Sequence, residues 1–115
     1  MRTLVDFLIE KRKREEKYFK NYLSWAKKIK KIAEKELKDA KVFLFGSILK
    51  KKTQANDIDI LIISSQFKDP QKRSEFHLKI TQKIDPRSPF EFHLITPEDY
   101  KDWYSHFIKK KIEIK

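Results

Sequence analysis

Asp57 and Asp59 stand two residues apart at the head of the apolar run Asp57-Ile58-Asp59-Ile60-Leu61-Ile62-Ile63. In a β-strand, residues i and i+2 project from one face, about 7 Å apart along the strand. Two ionised carboxylates so placed repel each other, and a divalent cation between them makes the arrangement favourable. Hard oxygen donors suit magnesium. Glu91 is a third acid of this kind. It lies in Phe90-Glu91-Phe92-His93-Leu94-Ile95 and faces away from the apolar side that Phe90 and Phe92 share. If the two strands are neighbours, Asp57, Asp59 and Glu91 meet on one surface and suit a two-ion phosphoryl-transfer site. Each acid alone has a bland reading as solvated strand surface; their combination points to metal. His93 shares Glu91's face and can line the site, whereas His77 and His106 carry less weight.

The chain contains a single glycine, Gly46, where ordinary usage predicts about eight. It follows the apolar run Val42-Phe43-Leu44-Phe45 and precedes Ser47. Glycine alone lets a backbone turn with positive φ or approach a ligand without a Cβ in the way. Backbone N–H groups after such a turn can cradle phosphate oxygens. The spacing is not that of a P-loop.

The elements that must hold these residues are legible from periodicity. From Thr3 to about Asp39 there is no Gly or Pro, and Phe19, Leu23, Ala26, Ile29, Ala33 and Leu37 recur at the spacing of an amphipathic helix. A long N-terminal helix over 1–39 is expected, with Thr3 as N-cap and Asp6 as capping-box partner. Unbroken, it measures about 55 Å, against a radius of gyration of about 13 Å for a domain of this size. It must therefore project, bend at the wholly charged stretch Glu10 to Lys17, or pack on a second chain. Leu4, Phe7 and Leu8 would then form a patch wanting a partner.

Residues 41–115 read as the catalytic core. Strands are expected at Val42–Phe45, Asp57–Ile63 and Phe90–Ile95, with Ile112 and Ile114 marking a short edge strand. Pro70 opens a helix whose buried stripe is Phe76, Ile80 and Ile84. Thr96 caps a last helix that begins at Pro97. The fold class is α/β of the α+β kind: one domain over 1–115, a mixed sheet of three or four strands, and flanking helices.

The net charge is +11, and residues 1–52 carry 17 Lys/Arg against 7 Asp/Glu. Such a basic half suits a polyanionic partner such as RNA or a nucleotide; a lysine-rich solvated helix face is the plainer reading. There is no cysteine, hence no disulfide and no thiolate metal site. No apolar run approaches the length of a membrane span, and Asp6 interrupts the only short apolar stretch near the start. A cytoplasmic protein is expected.

The run Phe45-Gly46-Ser47, a nine-residue gap, then Asp57-Ile58-Asp59-Ile60-Leu61-Ile62 resembles the signature of the polymerase β nucleotidyltransferase superfamily. The short chain is similar to its minimal nucleotidyltransferases, and Pro89 to Glu98 to archaeal members. The resemblance spans about residues 41–107. It implies that Gly46 and Ser47 hold the triphosphate, Asp57 and Asp59 two magnesium ions, and Glu91 one of them. Three features depart from the usual pattern: the gap is one residue short, the third acid is Glu, and Lys50, Lys51 and Lys52 stand where an arginine and glycine are common. These lysines are expected to help Ser47 bind the leaving pyrophosphate. The implied reaction transfers a nucleoside monophosphate, AMP from ATP, to an acceptor hydroxyl. The family role as antitoxin to a helical HEPN-type ribonuclease would occupy the N-terminal helix, as would a homodimer. Transfer to RNA or a small molecule is the rival acceptor, and an inactive nucleic-acid-binding or scaffold protein on the same fold is the alternative of another class.

Overall fold

The computed structural model describes residues 2–50 and 55–115. Helix α1 (Leu4–Lys20) starts at the Thr3 capping box, in which Asp6 N–H donates to Thr3 Oγ1 and Thr3 N–H to Asp6 Oδ2. Helix α2 (Tyr22–Glu36) follows after one residue. The long helix is thus interrupted at Asn21, not within Glu10 to Lys17. Asn21 has φ −117° and ψ 34°, and its Nδ2 donates to the Lys17 carbonyl at 3.1 Å. A side-chain amide so placed competes with the helical hydrogen-bond ladder. The break changes which residues face inward: Ala26, Ile29 and Ala33 are buried, while Leu23, expected in that stripe, is exposed, and Tyr22 and Trp25 pack against the core instead.

Only the C-terminal part of α1 rests on the body, through buried Tyr18 and Phe19. Its first turns project, with Leu4 75% exposed and Val5, Phe7, Leu8 and Ile9 all open to solvent. The extents of 49 × 29 × 22 Å and a radius of gyration of 15.1 Å reflect this projection.

Strand β1 (Lys41–Phe45) leads through Gly46 into the single turn α3 (Ser47–Lys50). Strand β2 (Ile58–Ile63) follows, then a 3-10 turn (Ser65–Lys68), α4 (Pro70–Ile84) and β3 (Phe90–Ile95). The chain continues through α5 (Pro97–Asp99), a π-helical turn (Tyr100–Tyr104) and α6 (Ser105–Phe107) to β4 (Lys111–Ile114). The sheet order is β3-β2-β1-β4. The pairs β1–β2 and β1–β4 are antiparallel, and β2–β3, joined by the α4 crossover, is parallel. This is the expected mixed four-stranded sheet with flanking helices and a long N-terminal helical arm.

Both sheet faces are covered, which explains why β1 and β2 read as almost continuous apolar runs. On one face Val42, Leu44, Ile58, Ile60, Ile62, Phe90 and Leu94 pack against α2 and α4. On the other, Phe43, Leu61, Ile63 and Ile95 lie with Tyr100, Tyr104 and Ile108 from the C-terminal helical segment. The β2 and β3 residues left over on this second face are Asp59, Glu91 and His93.

The turn between α2 and β1 is tied to the end of β2 by Asp39. Ser64 Oγ donates to Oδ1 at 2.7 Å, and Ser65 Oγ and N–H donate to Oδ2 at 2.6 and 2.9 Å. These bonds, that from the Ser65 hydroxyl foremost, hold the Asp39 carboxyl down to about 2. A carboxyl depressed on folding contributes stability above its ordinary value of 3.8, and the contribution fades as pH falls toward 2. Asp39→Asn is expected to lower the urea midpoint at pH 7, with the gap from the parent chain narrowing below about pH 4. Equal midpoints at pH 7 would show the clamp to be neutral.

Candidate active site

The parallel register of β2 and β3 sets Asp59 directly against Glu91, while on its other side Asp59 pairs with Phe45 of β1. Since β3 alternates, His93 projects from the same face two residues on. Its Nε2 lies 3.1 Å from Asp59 Oδ1 and 3.8 Å from Glu91 Oε1, and its ring meets Phe45 edge-on at 5.0 Å. One ligand atom from each of Asp59, Glu91 and His93 falls within 4.8 Å of the others. Carboxylates at such spacing can hold a divalent cation, with the imidazole either a further donor or, protonated at Nε2, a hydrogen-bond donor to Asp59. The residues present therefore fit a divalent cation, without selecting which one.

Gly46 adjoins this cluster. It has φ +84°, and among the described residues no other lies in the left-handed region. A Cβ on Gly46 would lie 2.3 Å from Asp59 Oδ2. Both reasons for a glycine operate at once here: the left-handed turn and the approach of backbone to a carboxylate.

The other residues marked by the sequence fall around this centre. Asp57 is exposed, one residue ahead of β2, and is not in the tight group; it lines a cleft together with Glu91. Ser47 is the exposed first residue of α3, and Lys50, also exposed, is its last. Lys51 and Lys52 lie outside the described residues. His77 packs its ring edge against Phe92 on the opposite face, and His106 is exposed.

Two groups of residues join the site that sequence spacing did not single out. Lys109 and Lys110, just ahead of β4, share a pocket of about 190 Å³ with Gly46 and Lys50. Three cations thus surround the glycine turn, beside the apolar Phe45, Phe107 and Ile108. Near Asp57 and Glu91, a cleft of about 720 Å³ is lined by Lys11, Arg14 and Glu15 of α1 and by Arg87 of the turn before β3. The spacing 11, 14, 15, 18 marks one helix face, a signal that was available but reads equally as solvated surface.

Residues 26–115 match the model of the nucleotidyltransferase domain family, so the chain belongs to that family. A crystal structure of a protein provisionally designated a nucleotidyltransferase is similar to it, with 37% sequence identity and a TM-score of 0.67. That likeness covers 77% of this chain and 96% of the other. No curated protein matches the sequence. Membership makes the chain a transferase of nucleotidyl groups with a nucleoside triphosphate as substrate, in a family that generally uses divalent metal. Among the described residues no helix is long and apolar enough to cross a membrane.

Gly46→Ala is expected to cost about 1–3 kcal/mol in urea unfolding, through positive-φ strain and displacement of the Asp59 carboxylate. A loss under about 0.5 kcal/mol, the scale of an ordinary surface substitution, would mean that the turn and Asp59 relax apart freely.

Proposed function

We propose that the protein transfers a nucleoside monophosphate, AMP from ATP, to an acceptor hydroxyl and releases pyrophosphate. The single observation carrying this reading is the row formed by the Gly46 turn, Asp59 and Glu91 across three neighbouring strands, within a chain of the nucleotidyltransferase family. Magnesium, as two ions, is the proposed metal, with Asp57, Asp59 and Glu91 as its carboxylate ligands and His93 beside them. When bound, it neutralises charge on the triphosphate and favours the deprotonated acceptor oxygen.

The chain's own residues have separate tasks. The backbone at Gly46 and Ser47, with Lys50, Lys109 and Lys110, binds the β- and γ-phosphates and stabilises the charge that builds on the leaving group. Lys51 and Lys52 are proposed to assist. The acceptor oxygen forms a bond to the α-phosphorus while the bond from that phosphorus to the α,β-bridging oxygen breaks. Pyrophosphate leaves with the bonding pair, and the acceptor proton passes to Glu91. His93 donates to Asp59 and so holds that carboxylate in place when the ring is protonated at Nε2.

The exposed apolar start of α1 supports a protein partner as well, either a helical protein of the HEPN type or a second copy of the chain. An inactive scaffold on the same fold is the opposing reading.

Incubation with magnesium and α-labelled ATP separates these, since label must move to an acceptor as pyrophosphate forms. Asp57→Asn and Asp59→Asn are expected to abolish transfer; label moving at the parental rate in either would sink the site. Lys109→Ala combined with Lys110→Ala is expected to raise KM for ATP about tenfold, by loss of charge-assisted phosphate contacts, with a smaller change in kcat. An unchanged KM would remove the two lysines from the triphosphate pocket.

A further inference from the structure

We infer that the pinned half of α1 is the acceptor site, and that it takes an acceptor carrying a phosphate a short distance from its reacting hydroxyl, as a nucleotide or nucleic-acid end does. The inference rests on the transferase reading above and adds to it the substrate class and the residues that bind it.

Position comes first. The triphosphate pocket lies at the Gly46 end of the row; the α1 cleft begins beside Asp57 and Glu91 at the opposite end and runs round the edge strand β3 to His77 and Thr81 on the α4 side. Asp59 stands between, paired with Phe45 on one side and Glu91 on the other. In-line displacement at phosphorus requires the attacking and leaving oxygens on opposite sides. With pyrophosphate leaving toward Gly46, the attacking hydroxyl enters from the α1 cleft.

The cleft wall is also held firmly. Arg12 Nη1 donates to the Ala55 carbonyl at 3.2 Å, just ahead of Asp57, and the guanidinium lies over the Phe19 ring at 4.4 Å. Tyr18, 2% exposed, donates its hydroxyl to Asp85 Oδ2 at 3.0 Å. Asp85 in turn accepts from Arg87 N–H at 2.9 Å and so shapes the turn that presents Arg87. The bond from Arg87 N–H, followed by that from Tyr18, holds the Asp85 carboxyl below its usual range. Burial, and then the bond to Asp85, raises the Tyr18 hydroxyl. These two anchors bracket the cleft and fix Lys11, Arg14 and Glu15 above it.

The lining chemistry selects the ligand. Lys11, Arg14 and Arg87 are exposed cations, and Lys11 and Arg14 make no ion pair among the described residues although Glu15, Asp57 and Glu91 line the same cleft. A simple anion would meet three carboxylates. An acceptor bearing only a hydroxyl would leave three cations unused. A molecule with a hydroxyl at the acid end and a phosphate under α1 satisfies both, with the guanidinium forks suited to phosphate oxygens. Glu15, only 6% exposed, is placed to accept from a sugar hydroxyl or base amine. The family match begins at residue 26, so this wall lies outside the matched domain.

The test uses the full chain and two probes, a single-stranded RNA hexamer and AMP, each with a fluorescent label and followed by anisotropy. Lys11→Ala combined with Arg14→Ala is expected to weaken hexamer binding at least tenfold and to flatten its log–log salt dependence by about 0.7 per lost phosphate contact. Arg87→Ala should act alike, and Arg14→Lys should retain part of the affinity, which a misfolded variant would not. In the labelling assay, KM for the RNA rises while KM for ATP stays within twofold. Tighter binding of the hexamer than of AMP identifies a nucleic-acid end; equal binding identifies a phosphorylated small molecule. Hexamer and AMP affinities both unchanged in the double variant, or label moving only onto protein, would overturn the acceptor site. Binding needs no turnover, so binding lost in the α1 variants of a chain that transfers no label upholds the cleft and counts against the transferase reading alone.

Discussion

The site depends on one pairing, the parallel register of β2 and β3. Antiparallel pairs suit tight hairpins, whereas a parallel pair needs a crossover of a dozen or so residues, and α4 supplies it. The crossover also decides which residue of β3 stands beside Asp59. A slip of one residue would exchange Glu91 and His93 for Phe90 and Phe92 on the outer face. Apolar burial prevents that slip: Phe90 and Leu94 lock into the α2–α4 side, and Ile95 into the patch under Tyr100 and Tyr104. The positions of the acids are thus set by hydrophobic packing around them rather than by contacts among themselves.

The cluster sits where the second layer of cover runs out. The C-terminal helical segment shields Phe43, Leu61, Ile63 and Ile95 but leaves the Asp59 end of the sheet partly open. Asp59 and His93 are accordingly about a fifth to a quarter exposed in their side chains, and Glu91 more than half. That gradient suits a reaction centre: carboxylates shielded enough to strengthen electrostatic interactions, yet reachable by a large polar substrate.

Much of this could be read from residue order. Strict alternation in Phe90 to His93 gave Glu91 its face, and the lone glycine after an apolar strand marked the turn at Gly46. Caps at Thr3 and Thr96 were legible because short polar side chains precede helix formers. What escaped notice depends on tertiary neighbours. Asn21 breaks the helix with a side-chain hydrogen bond and is neither Gly nor Pro, so no local breaker announced it. Lys109 and Lys110 reach Gly46 only because β4 pairs with β1. Lys11 and Arg14 look like ordinary solvated charges until Tyr18 and Arg12 reveal which way α1 faces.

Helix α1 runs without a break over its 17 residues, from its solvent-borne tip to Lys20. At 1.5 Å per residue it is a rod of about 25 Å, gripped on one flank near Arg12 and Tyr18. A rod clamped at two points keeps its direction. Whatever seizes its apolar tip is therefore set at a fixed distance from Lys11 and Arg14, and the same stiff helix serves as a ruler between a tip-bound partner and the cleft.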